Sequence, residues 1–258
     1  MRDIFSGVGT ILFCDETKFY INDGDLEDEI YYFAVSVPVD LVSKIDRDFK
    51  IILSKYNVQA AVYHSTNVFK ESRTRDKLMN ELVQLIIQNK LNCFCYKYSK
   101  ALFFESTKSL VKFNNDIIDF NKTEFQAVFY FLIVLNTFLR DQVPDLLKKE
   151  IVMYFDRNVY GVNEVEAFNF PSDHFILKRM TFSEKSLVSL LSLPDFFGYI
   201  FRKSKKSQNK VQGGDITLET SKLAINSYKG ILEITEAGLF HFIDVDKNIL
   251  YQALNVFD

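Results

Sequence analysis

Two short apolar runs, far apart in the chain, each stop on a carboxylate. Thr10 to Cys14 runs into Asp15-Glu16, and Ile151 to Phe155 runs into Asp156. Runs this short, bounded by charge, read as buried strands rather than helices. Ile30 to Val37 is aromatic and β-branched, stops at Pro38, and reads as a second strand joined to the first as a hairpin. Asn92 to Tyr98 alternates, with Cys93, Cys95 and Lys97 on one face and Phe94, Tyr96 and Tyr98 on the other. His174 to Met180 is a further strand. Between them the period changes. Leu41, Ile45, Phe49, Ile52, Leu53 and Tyr56 recur at helical spacing, as do Leu78, Leu82, Leu85 and Ile86 within Thr74 to Gln88. Strands first, then helices alternating with strands, predict an α/β fold with a mixed sheet flanked by helices.

The greasiest segment, Lys122 to Leu139, carries an unbroken apolar run only from Ala127 to Leu135 before Asn136-Thr137. This falls short of the roughly 20 residues that span a bilayer, so a buried central helix is expected. No apolar segment precedes Asp15-Glu16, which argues against a signal peptide and for a cytoplasmic protein without membrane contact. At 48% apolar and 25% charged, the 258 residues exclude disorder, a collagen repeat and a disulfide scaffold. Three cysteines and three histidines, without ligand spacing, suit a reducing compartment and argue against structural zinc. The net charge of −3 neither demands nucleic acid nor excludes a local basic groove.

The informative residues break the apolar pattern. Asp15 and Asp156 end strands, and Asp195 interrupts the apolar helix expected over Leu187 to Phe201. A carboxylate in such surroundings needs a cation, a hydrogen-bond donor or a metal. Brought together, three of them would suit Mg²⁺ or Mn²⁺, which prefer hard oxygen ligands. One or two such ions would activate water and stabilise the leaving oxygen of a phosphodiester. Ordinary roles stay open. Asp15 would then simply end its strand, Asp156 would pair with Arg157, and Pro194-Asp195 would open a helix. Cys14 should face away from Asp15, Cys93 and Cys95 read as packing residues, and His174 and His241 read as structural. Arg202, Lys203, Lys205 and Lys206 open a basic, polar stretch read as a linker to a C-terminal, mostly helical extension. It divides the chain into a main domain over 1–203 and an extension over 204–258 packed on that domain. Its cations could meet phosphates or simply be solvated. The acidic block from Asp23 to Glu29 is expected to be solvated too.

The run Ile11-Leu12-Phe13-Cys14-Asp15-Glu16-Thr17 resembles the first-strand motif of the domain-of-unknown-function 3800 family, an apolar strand followed by Asp-Glu-Ser-Gly. Tyr31 to Val37 resembles that family's second strand and Val62-Tyr63-His64 its Glu-x-His segment. Val152 to Asp156 is similar to its central acidic strand, and Ser192-Leu193-Pro194-Asp195 to its Gln-x-Ala-Asp motif. The resemblance spans residues 10 to 203. It implies a ribonuclease H-like fold and a metal-dependent nuclease acting on DNA or RNA. Asp15, Asp156 and Asp195 would hold Mg²⁺ or Mn²⁺, and Glu16 and His64 would support them. It also implies a setting near mobile elements or phage-defence genes. The chain departs from the pattern at Thr17-Lys18, Val62, Ser192 and Pro194. These departures keep a second expectation alive: a catalytically silent module that binds nucleic acid or assembles with a protein partner or with its own copies.

Overall fold

The computed structural model describes residues 7–19, 29–71, 75–99, 110–113, 116–119, 123–142, 150–157, 176–213 and 218–243. The first strands are β1 (Val8–Phe19) and β2 (Glu29–Pro38). Helices α1 (Val42–Lys55), α2 (Ser65–Glu71) and α3 (Arg75–Gln88) lead to β3 (Cys93–Ser99). A small hairpin, β4 (Leu110–Phe113) and β5 (Asp116–Asp119), precedes α4 (Thr123–Gln142), β6 (Glu150–Asp156) and β7 (Ile176–Ser183). Helices α5 (Ser192–Gly213) and α6 (Leu218–Glu236) and strand β8 (Phe240–Ile243) follow. The main sheet has the order β7-β6-β1-β2-β3-β8. Strands β1, β2 and β3 run antiparallel in sequence, β6 and β7 add parallel to β1, and β8 adds parallel to β3. The expected α/β fold with a mixed sheet is therefore present.

Strand alternation sorts the side chains into two cores. Leu12, Cys14, Tyr32, Ala34, Phe94, Tyr96, Met153 and Phe155 face α4, whose consecutive residues Phe131 to Leu135 are all buried. Ile11, Phe13, Tyr31, Phe33, Val35, Cys93 and Cys95 face the other way, onto α1, α3, α5 and α6. Because both faces are covered, β1, β2 and β6 read as unbroken apolar runs. The thiols Cys14, Cys93 and Cys95 are free and buried, and burial pushes each far above the ordinary cysteine range. They act as packing residues. No helix among the described residues is long and apolar enough to cross a membrane.

Three readings of the sequence need correction. The Arg202 to Lys210 stretch is no linker, because α5 continues through it to Gly213. The apolar rows persist under the charge: Phe201 and Ser204 are buried, and no proline or glycine intervenes before Gly213. A boundary at 203 thus falls inside a helix. The helix also starts later than Leu187, which is 79% exposed; a short 3-10 turn at Ser189–Leu191 precedes α5. Finally, β1 does not stop at Asp15, since Asp15 still pairs with Phe33 and Glu16 with Tyr32 on the β2 side. Helix α2, the β4–β5 hairpin and β8 have no counterpart in the sequence-based expectation. His174 and the block from Asp23 to Asp28 lie outside the described residues.

Candidate metal centre

Strands β1 and β6 pair in parallel until Cys14 lies opposite Phe155. The next residue on each is an aspartate, so Asp15 and Asp156 stand side by side where the two strands part. Carboxyl ends of parallel strands are a common place for ligand-binding groups. Asp15 has the parity of Ile11 and Phe13, and its side chain therefore emerges on the α5 side. Asp195 comes from that side, in the first turn of α5, where the helix dipole favours a carboxylate.

The three aspartates do meet, around a residue that the sequence did not single out. Lys185 Nζ lies 3.7 Å from Asp15 Oδ2, 3.8 Å from Asp156 Oδ2 and 3.3 Å from Asp195 Oδ2. The lysine side chain is 14% exposed and those of the aspartates 12%. Lys185 sits in the turn after β7, held by the Leu187 and Val188 N–H groups donating to the Glu184 carbonyl. Burial raises the proton affinity of Asp15, Lys185 opposes that, and Asp195, Glu16 and Asp156 reinforce it. The Lys185 ammonium is in turn held in its charged form by Asp15, Asp195 and Asp156 against the opposing effect of burial. Among the described residues no set of three or more His, Cys, Asp and Glu side chains is drawn up as a metal cage.

Asp195 has further partners. The Ser65 N–H donates to its Oδ2 at 3.1 Å, and the buried Ser65 hydroxyl bonds the Tyr63 hydroxyl at 3.2 Å. Burial foremost, and then Asp195, pushes the Tyr63 phenol well above its ordinary range. His64 lies at the rim: its Nδ1 is 3.9 Å from Asp195 Oδ2, and its side chain is 59% exposed. Its carbonyl accepts the N–H groups of Asn67 and Val68, which fixes it at the start of α2. Glu16 has the parity of Leu12 and Cys14, so its side chain leaves on the opposite face of the sheet. Its backbone N–H donates to Asp15 Oδ1 at 3.0 Å.

The basic residues divide. Arg202, two helical turns from Asp195, donates to Thr66 Oγ1 at 3.1 Å and lies 5.9 Å from the centre of the Tyr199 ring. Lys203 lies 5.6 Å from the same ring. Both are therefore about 10–12 Å along α5 from Asp195. Lys205 turns inward. It donates to the Tyr31 hydroxyl at 2.9 Å and rests over the rings of Tyr31, Phe201 and Phe242 at 4.8, 5.4 and 5.6 Å. Lys206 belongs to α5, but its side chain is outside the described residues. Lys185, Tyr63 and Ser65 are thus the site residues that sequence reasoning missed. For Lys185 a signal existed, since three buried acids require a counter-charge.

Set against known proteins, the chain matches no family model and no curated sequence.

Proposed function

We propose that the chain is a divalent-metal-dependent nuclease with a ribonuclease H-like core. The observation that carries this reading is the convergence of Asp15, Asp156 and Asp195 within 3.8 Å of one point. With all three ionised, one ammonium leaves two negative charges uncompensated, which suits a divalent ion, and the donors are the hard oxygens that Mg²⁺ and Mn²⁺ prefer. The strand order supports it as well. Three antiparallel strands in sequence, with two further strands added parallel beside the first, are the arrangement expected of a ribonuclease H-like sheet.

Asp15, Asp156 and Asp195 would hold the ion, which when bound supplies an activated water and stabilises the leaving oxygen. The Ser65 N–H fixes Asp195 in orientation. His64, exposed beside Asp195, would meet a substrate phosphate or relay a proton. Arg202 and Lys203 would contact the backbone of DNA or RNA on one side of the scissile bond. Lys205 contributes to the fold instead. The test is cleavage of labelled single- and double-stranded DNA and RNA with Mn²⁺, with Mg²⁺ and with chelator. Activity should need the metal and disappear in Asp156→Asn and Asp195→Asn; undiminished cleavage by those variants would refute the assignment.

One observation favours a second reading. Lys185 gives each aspartate a partner without any metal, so the cluster can also stand as a buried ion-pair network in a binding or assembly module. Failure of every nucleic acid to be cleaved, with a stable partner or self-association instead, would select it.

A further inference from the structure

Lys185 engages the same three carboxylate oxygens that a divalent ion would need. It engages them loosely. Elsewhere, Lys178 to Glu150 at 2.6 Å, Lys50 to Asp46 at 2.7 Å and Lys55 to Glu81 at 2.8 Å sit closer, while Lys44 to Asp48 at 3.3 Å and Lys222 to Asp76 at 3.6 Å, both on exposed lysines, span the same range as Lys185. Lys185 hydrogen-bonds Asp195 at 3.3 Å and keeps 3.7 and 3.8 Å from Asp15 and Asp156, so one buried ammonium is shared among all three. Its tether also differs from that of its partners. Asp15 and Asp156 are fixed on strands and Asp195 on a helix, whereas Lys185 stands on a turn with a flexible four-carbon stem. An ammonium on such a stem can shift position while the backbone remains in place.

We infer that Lys185 is a tethered stand-in for the metal. It holds the three aspartates together before metal arrives, and a divalent ion must displace it to bind. This inference rests on reading the acidic cluster as a metal centre. Two charge consequences follow. The monovalent ammonium neutralises too little of the cluster to compete permanently with a divalent ion. Its presence nevertheless weakens metal binding, because the ion gains only what it adds beyond the ammonium. Lys185 thus sets the metal concentration at which the site loads, and a doubly charged ion is favoured over a singly charged one.

Two measurements test this without reference to cleavage. The first is Mn²⁺ binding, by calorimetry and by electron paramagnetic resonance of free Mn²⁺, to wild type, Lys185→Gln and Lys185→Arg. Removing the competing charge should tighten Mn²⁺ binding by about tenfold or more in Lys185→Gln, while Lys185→Arg, which keeps the charge, should stay weak. The second uses the wild-type protein alone, and so stands even if Lys185→Gln fails to fold. Limited acetylation, read by peptide mass spectrometry, should modify Lys185 several times faster with Mn²⁺ than with chelator, while Lys178 is unaffected. Measurable Mn²⁺ binding that is no tighter in Lys185→Gln, or a Lys185 acetylation rate that Mn²⁺ leaves unchanged or slows, overturns the displacement idea and leaves the metal centre standing. Absence of Mn²⁺ binding from all three proteins overturns the metal centre itself, and the inference with it.

Discussion

Replacing Asp15 by Asn should make the metal-free protein more stable while destroying its proposed activity. The reasoning is electrostatic. At an effective dielectric of about 20, the 3.7 Å contact with Lys185 favours an ionised Asp15 by roughly 4–5 kcal/mol. Asp156 and Asp195 reach the same ammonium at 3.8 and 3.3 Å. Their oxygens therefore lie no more than about 7–7.5 Å from that of Asp15, where each repels it by about 2 kcal/mol or more. The two repulsions together cancel the attraction even at this farthest placement. Burial then adds an uncompensated penalty, which is why the Asp15 carboxyl lies well above the usual range with burial as the leading cause. Asparagine has nearly the same shape and keeps an oxygen to accept the Glu16 N–H, now bonded at 3.0 Å. The expected gain is about 1–2 kcal/mol, or roughly 2–6 °C in Tm for a domain of this size. Thermal and urea denaturation in chelator measure it. Adding Mn²⁺ should stabilise the wild type and not Asp15→Asn, since only binding to the folded state raises Tm. A loss of about 1 kcal/mol or more on Asp15→Asn in chelator would show that the carboxylate is held at a profit and would refute the arithmetic.

Three other predictions concern the frame around the site. Helix α6 ends with Leu239 N–H bonded to Ile234 C=O and Gly238 N–H to Thr235 C=O, with Gly238 at φ +71°. Helix α3 ends in the same pattern, with Leu91 bonded to Ile86 and Lys90 to Ile87, but with Lys90 at φ 51°. Gly238→Ala should therefore cost about 1 kcal/mol and Lys90→Gly should gain several tenths to about 1 kcal/mol, read by urea denaturation; equal effects of one sign would contradict the helix-end account. His241 stacks on Phe94 at 5.2 Å and packs at a tilt against Phe138 at 5.5 Å, and burial holds its imidazole below the ordinary 6.5. A histidine kept neutral in the fold contributes stability above its unfolded pKa that is lost as pH falls below about 6.5, so wild type should weaken from pH 7 to 5 more steeply than His241→Gln. Parallel pH profiles would exclude that role. Lys205→Met should lose about 1–2 kcal/mol of stability from its aromatic contacts and leave nucleic-acid affinity within about twofold, whereas Arg202→Ala should weaken nucleic-acid binding and flatten its salt dependence.

The sheet was legible because both of its faces are buried, which turns strands into unbroken apolar runs. Thr10 to Cys14, Ile30 to Val37 and Ile151 to Phe155 are three of the four central strands, and the alternation of Cys93 and Cys95 against Phe94 and Tyr96 recovers both faces of β3. What failed was composition used as structure. Residues 202 to 210 look like a solvated linker because charge is counted without phase; Phe201 and Ser204 continue the buried side of α5 beneath that charge, and Lys205 turns its ammonium onto the Tyr31 ring. Strand β8 escaped notice because four residues at a sheet edge, two of them only partly buried and one exposed, carry too little pattern to separate from a loop.

The site divides along the same line. Asp15, Asp156 and Asp195 are conspicuous because each breaks an apolar pattern that is otherwise intact. Lys185 breaks nothing. It lies in Ser183-Glu184-Lys185-Ser186, a polar turn of the kind found on any surface. Only the cost of burying carboxylates pointed to a cation, and that cost is indifferent to whether the cation is an ion from solution or a side chain of the protein. The tertiary fold decides it, by bringing the turn after β7 against the parting strands β1 and β6 and the start of α5. A buried acidic cluster read from sequence thus predicts positive charge at a place, and the chain must be searched for its own lysines and arginines before that charge is given to a metal alone. Here Lys185 lies on the same oxygens that a metal would need, which is why the proposed competition between Lys185 and a divalent ion, rather than the presence of the acids, is the quantity to measure.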